Sequence, residues 1–196
     1  MAVPLVGLTG GLGAGKSTAL EELAALGAAV LSADAVVHGL YETDAVAAAV
    51  RERFGEEVFA AGRVDRRALG ARVFASEGDR HWLEQLLWPL VMAATAQFHA
   101  EACAAIPQPP AAVLEAPLLF EAGGEARFAA TIAIVADDAL RAARIAGRDQ
   151  AALAQREARQ LPQSEKQRLA TYVLVNNGSV EELRARLAEL LEKLRQ

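Results

Sequence analysis

Nine residues near the start of the chain carry the clearest chemistry. Gly10-Gly11-Leu12-Gly13-Ala14-Gly15-Lys16-Ser17-Thr18 fits the pattern G-x-x-x-x-G-K-[ST] without a mismatch. Glycines let a backbone wrap closely enough for its N–H groups to meet phosphate oxygens, and a helix opening at the end of such a loop adds partial positive charge. Lys16 can then reach the β- and γ-phosphates of a nucleoside triphosphate, and the Ser17 hydroxyl is placed to ligate Mg²⁺. Gly13, Ala14, Gly15, Lys16, Ser17 and Thr18 are therefore the expected nucleotide-binding residues, with Ser17 the metal ligand. The pattern carries weight only between a strand and a helix.

Both elements are present. Val3 to Leu8 is an apolar run that reads as a buried strand, with Pro4 at its start. From Ser17, Leu20, Leu23 and Ala24 share one helical face, and Gly27 is the expected stop. Further strands are predicted at Ala29 to Leu31, Ala112 to Glu115, Thr131 to Val135 and Tyr172 to Val175. Helices are predicted within Asp34 to Phe54, over Asp65 to Phe74 and Asp79 to Ala105, and over Asp137 to Arg148 and Ala151 to Gln160. Ser179 with Glu182 forms a capping-box pattern ahead of a closing helix, whose Leu183, Leu187, Leu190, Leu191 and Leu194 read as a core-facing stripe rather than a zipper. Strands alternating with helices imply an α/β fold: a P-loop NTPase-type parallel sheet of about five strands with helices on both faces. Ligands of such sheets bind at the carboxyl ends of the strands. The whole chain, 1–196, reads as one domain. Within it, residues 34–105 are too long for a simple crossover and form the expected helical substrate-binding insertion.

Composition narrows the class. The chain is 53% hydrophobic and 23% charged, with a net charge of −5, so no global attraction to nucleic acid or acidic membranes is expected. The single cysteine, Cys103, excludes an internal disulfide and reads as a packing residue. His38, His81 and His99 show no metal-ligand spacing. No targeting segment or membrane span is apparent, so a soluble cytoplasmic protein without an obligate protein partner is expected.

A triphosphate site does not name a reaction. At this length no motor or transport domain is expected beside the triphosphate site. The chain also lacks an Asn-Lys-x-Asp guanine reader, since its last strand leads into Asn176-Asn177-Gly178. From Leu140 to Arg168 seven basic residues stand against three acidic ones, a balance of +4 that leaves −9 for the remainder. A basic helical pair on an acidic protein suits a lid (140–168) closing over a transferring phosphoryl group, although charge alone equally describes a solvated face. These features favour a small-molecule kinase. A kinase for nucleoside monophosphates or sugar acids, and a nucleotide switch with no acceptor, are the alternatives.

Several landmarks together resemble the dephospho-coenzyme A kinase family over nearly the whole chain. They are Gly7 to Thr18 including Thr9, Val30-Leu31-Ser32-Ala33-Asp34, Gly62-Arg63-Val64-Asp65-Arg66-Arg67, and Pro117-Leu118-Leu119-Phe120-Glu121. Downstream, Arg144, Arg148-Asp149, Arg156, Gln160, Lys166, Asn176 and Gly178 follow the family's spacing. Four positions depart from it: Ser32 replaces an acid, His38 an arginine, Trp88 a histidine and Thr171 an aspartate.

The resemblance implies transfer of the γ-phosphoryl group of ATP to the ribose 3′-hydroxyl of dephospho-coenzyme A, with Mg²⁺. It implies Asp34 as the group that accepts or orients the hydroxyl proton, where sequence alone leaves a helix cap equally open. Lys16, Asp34, Arg144 and Arg148 are then the catalytic set. Thr9, Asp34, Arg66 and Leu119 are acceptor contacts, and Asn176 and Gly178 belong to the adenine loop. Glu115 is either a Walker-B-type carboxylate or a cap, and Arg66 or Arg67 either grips the acceptor or pairs on the surface.

Overall fold

The computed structural model describes residues 3–147 and 149–195. The chain divides into two compact units, one comprising residues up to Ser32 and from Phe98 onward, the other Ala33–Gln97.

The first unit is built on a five-stranded parallel sheet. Its strands are β1 (Leu5–Gly10), β2 (Ala29–Ser32), β5 (Ala112–Glu115), β6 (Ala130–Val135) and β7 (Tyr172–Val175), in spatial order β2-β5-β1-β6-β7. The central strand β1 pairs with β5 from Leu5↔Ala112 and with β6 as far as Gly10↔Ile134. It starts later and runs further than the apolar run suggested. The Pro4 carbonyl already accepts from Ala112 N–H at 2.9 Å, although proline has no N–H of its own to pair. Five-stranded parallel order with helical cover is the architecture expected from the alternating pattern.

One face of the sheet is covered by α1 (Lys16–Ala25) and α9 (Val180–Leu194). Val6, Leu8, Val113, Ile132 and Ile134 pack there with Leu23, Leu183 and Leu187 in a single buried cluster. The leucine stripe of α9 is thus core, not zipper. The helix is capped as expected, Ser179 accepting from Glu182 N–H. α1 ends in a Schellman arrangement: Gly27 N–H reaches Ala24 O at 2.9 Å and Ala28 N–H reaches Leu23 O at 3.0 Å, with Gly27 at φ +90°. A smaller cluster joins Val3, Ala112 and Ala102, with Phe98 and Cys103 from the final turns of α5 (Glu77–Ala104). Cys103 is therefore a packing residue, as expected.

Between β6 and β7 lie three helices, α6 (Asp138–Ile145), α7 (Gln150–Glu157) and α8 (Gln163–Leu169). Two were expected. α6 stops short of Arg148 and Gly147 turns left-handed at φ +82°, while α8 was folded into an undivided basic stretch. Among the described residues no helix is long and apolar enough to cross a membrane.

The second unit contains α2 (Ala33–Leu40), α3 (Asp44–Phe54), α4 (Arg66–Ala75) and α5 up to Gln97. Val46, Val50, Phe54, Leu69, Leu83 and Leu87 form its core, with Phe54 edge-on to Trp82 at 5.4 Å. α4 starts where Asp65 accepts from the N–H groups of Arg67 and Ala68. The Ser76 hydroxyl accepts from Asp79 N–H, so α5 begins two residues before the predicted start. A short hairpin, β3 (Phe59–Ala60) with β4 (Arg63–Val64), was not anticipated. Its turn places Ala61 at φ +50° and Gly62 at φ +78°, and alanine is not the residue that announces such a turn.

Candidate active site

The phosphate-binding loop joins the carboxyl end of β1 to the first turn of α1. Its glycines are required by close approaches. At Gly13 (φ +72°) an added Cβ would stand 2.6 Å from the Arg141 carbonyl, and at Gly15 (φ +97°) it would stand 2.2 Å from Asn176 Nδ2. Gly15 caps α1 without a side-chain bond, so the first N–H groups of the helix, those of Lys16, Ser17 and Thr18, lack intrahelical acceptors. Lys16 folds back along the loop, and its ammonium donates to the carbonyls of Gly10 and Gly11, both at 3.0 Å. A cation over a glycine cradle at a helix N-terminus is a chemical fit for a chain of phosphates. Ser17, in the first turn, is exposed.

Two further residues brace the loop. The Asn176 side chain donates to Ala14 O at 2.8 Å, and its backbone N–H is held by Val135 O at 2.7 Å. Arg144 donates to the Asn176 carbonyl at 3.0 Å and approaches the Gly13 and Ala14 carbonyls at 3.4 and 3.5 Å. Gly13 to Thr18, Arg144 and Asn176, predicted from separate stretches, thus converge on one loop. Gly178 lies on the same β7–α9 connection, and a Cβ there would strike the Glu182 carboxylate. Arg148 lies outside the described residues.

Arg141 is a participant that the sequence reading passed over. It stands one helical turn before Arg144, on the same face of α6. Its Nε donates to Leu12 O at 2.8 Å, while its Nη atoms pair at 2.8 Å with Asp138 and Glu157. Beside it a cleft of about 920 Å³ is lined by Gly11, Ala136, Asp137, Arg141, Glu157 and Gln160 among others. The spacing of Arg141 to Arg144 was the available signal.

Thr9 and Leu119 were expected to meet the acceptor, and neither side chain reaches an open surface. Thr9 is 0% exposed and its hydroxyl faces Pro117 O at 3.4 Å; Leu119 is 2% exposed and packs beneath Gly7. Their neighbourhood is a buried polar cluster centred on Lys166, which donates to Pro117 O at 2.6 Å and to Glu121 at 2.9 Å. At the ends of β2 and β5, Ser32 donates to the Glu115 carboxylate at 3.0 Å, and Glu115 is 8% exposed. A hydroxyl at position 32 satisfies that carboxylate where a second acid would repel it.

Asp34 and Arg66 belong to the helical unit. Asp34 is the exposed second residue of α2. A guanidinium nitrogen of Arg66 meets His38 Nε2 in a short contact. Both line a cleft of about 210 Å³ with Tyr41, Glu42, Arg63 and Val64. Burial raises the Tyr41 phenol from 10.0 to about 12, and the nearby Arg66 charge opposes that rise only in part.

A family model described as dephospho-CoA kinase matches residues 4–182. The dephospho-CoA kinase of Bradyrhizobium diazoefficiens is 38% identical over 193 residues, covering 97% of this chain and 95% of that one. That of Anaeromyxobacter dehalogenans is 39% identical over 196 residues, covering 97% and 92%. A crystal structure of a Thermus thermophilus protein superposes with a TM-score of 0.85 at 33% identity, covering 99% of both chains.

Proposed function

The chain belongs to the dephospho-CoA kinase family, and from that premise we propose how its own residues move the γ-phosphoryl group of ATP to the ribose 3′-hydroxyl of dephospho-coenzyme A, giving coenzyme A and ADP. The β–γ bridging bond breaks as the bond from the 3′-oxygen to phosphorus forms. Such transfers are largely dissociative, so positioning and charge neutralisation dominate.

The loop N–H groups and Lys16 hold the β- and γ-phosphates. Ser17 would hold Mg²⁺, which would supply charge neutralisation at the phosphate oxygens, and Glu115 would be the second residue serving that ion. Asp34 receives the proton of the 3′-hydroxyl or orients it. The helical unit serves as the acceptor-binding insertion, with Arg66 toward the anionic part of the acceptor. Residues 140–168 act as the lid, whose Arg144 and Arg148 neutralise the transferring group and exclude water. Asn176 and Gly178 form the wall of the adenine site.

The observation that carries this reading is the loop itself: left-handed glycines at 13 and 15, a folded-back Lys16, and bracing by Arg144 and Asn176. Phosphorus NMR of the product formed from ATP and dephospho-coenzyme A tests it. A new 3′-phosphomonoester is expected; inorganic phosphate alone, or phosphate at another position, would refute it.

A further inference from the structure

Beneath the loop lies a buried ion pair that phosphoryl transfer does not itself use. Lys166 is 0% exposed, and its ammonium donates to Glu121 Oε1 at 2.9 Å, Pro117 O at 2.6 Å and Thr9 Oγ1 at 3.4 Å. An ammonium carries three protons, and these three acceptors match them. Glu121 Oε1 also accepts from the N–H of Leu161 at 2.6 Å, while Oε2 is buried without a hydrogen-bond partner among the described residues. One carboxylate oxygen therefore takes two donors, one from Leu161 between α7 and α8 and one from Lys166 within α8. Thr9, in turn, directly precedes the loop glycines.

A buried ion pair is a poor means of stabilising a fold, because desolvation offsets much of the attraction. Apolar side chains of the same volume would hold these segments together equally well. What they lack is direction: each hydrogen bond fixes a distance and an angle. Here the directional contacts join three separate segments, namely the end of β1, the turn after β5, and α8 with the residues just before it.

We propose that Glu121 and Lys166 are positioning residues of the kinase, pinning the root of the lid to the strand that bears the phosphate-binding loop. The proposal rests on the lid reading given above. Neither residue touches nucleotide or acceptor. Lys166 acts through Thr9 on the loop, and Glu121 acts through Leu161 on the lid. A lid free to close out of register still admits ATP but orients the γ-phosphoryl group poorly, so water competes with the acceptor.

The test is the double variant Glu121→Gln/Lys166→Met, which removes both charges, keeps the shape of the Glu121 side chain and shortens that of Lys166 by one heavy atom. Each single change leaves a buried charge uncompensated and lowers Tm, whereas the pair regains most of it. In the folded double variant kcat falls by about tenfold or more, KM for ATP stays within about twofold, and a larger share of ADP forms without acceptor phosphorylation. Wild-type kcat and an unchanged share would overturn the proposal and leave the pair merely structural. Should the double variant not fold, Glu121→Gln alone, assayed below its Tm, must show the same rise in uncoupled ADP, and an unchanged share there overturns it too. A second readout needs no acceptor: adenylyl imidodiphosphate with Mg²⁺ should protect Arg144 and Arg159 from trypsin in the wild type but not in the double variant. Equal protection in both would overturn the anchor, whereas failure of the wild type to phosphorylate dephospho-coenzyme A would count against the kinase reading instead.

Discussion

Gly15 and Asn176 approach so closely that no Cβ fits between them: one built at Gly15 would stand 2.2 Å from Asn176 Nδ2. The contact joins the loop after β1 to the connection after β7, and the same amide donates to Ala14 O. The loop is thus shaped by a residue far along the chain as well as by its own glycines.

Gly15→Ala therefore tests the shape of the loop. The change forces a side chain onto φ +97° and against Asn176, which should cost about 1–3 kcal/mol of stability. Calorimetric ATP affinity should fall by about tenfold or more, since the N–H cradle moves with the backbone. Wild-type affinity would mean that this geometry does not hold the nucleotide.

Lys16→Ala and Asp34→Asn should both remove kinase activity, by different routes. Lys16→Ala deletes the phosphate clamp, lowering kcat by about a hundredfold or more with little change in Tm. Asp34→Asn should still bind ATP, because Asp34 lies on α2 and not on the loop. Wild-type turnover by Asp34→Asn would remove it from the mechanism.

Leu187→Ala distinguishes core from zipper. Leu187 is fully buried against the sheet, so its loss should lower stability by about 2–5 kcal/mol. The hydrodynamic mass should not change. A changed oligomeric state with unaltered stability would contradict the packing described for α9.

Tyr41 sets a high-pH limit. Its phenol is raised from 10.0 to about 12 in the folded chain. Between these values the unfolded chain loses the phenolic proton first, so the unfolding free energy falls as pH rises from about 10 toward 12 and is insensitive to this group below that window. Denaturant titration of wild type and Tyr41→Phe checks the sign, and parallel curves for the two would contradict it.

Much of the sheet unit was legible because its signals are local. The apolar runs, Gly27, and Ser179 with Glu182 mark their own elements, and G-x-x-x-x-G-K-[ST] needs only a strand before it and a helix after it. What escaped depends on distant partners. Nothing near Lys166 in sequence announces that it is fully buried, since its acceptors Glu121, Pro117 and Thr9 come from other segments. Thr9 and Leu119 were expected to face a ligand, but their side chains point into that interior. The β3–β4 hairpin was hidden by Ala61 in a left-handed position. Thr171, a departure from the family pattern, keeps an acceptor for Thr131 N–H at 3.1 Å, and Thr131 accepts Thr171 N–H at 3.0 Å in return. That substitution preserves the link to the start of β6.

The most direct measurement is ADP release by the purified protein with Mg·ATP, with and without dephospho-coenzyme A, and with adenosine monophosphate and gluconate as control acceptors. Strong stimulation by dephospho-coenzyme A alone is the predicted result, and it would show that the changes at Ser32, His38, Trp88 and Thr171 are compatible with turnover. ATP binding without stimulation, or stimulation by a control acceptor instead, would contradict the assignment of the acceptor.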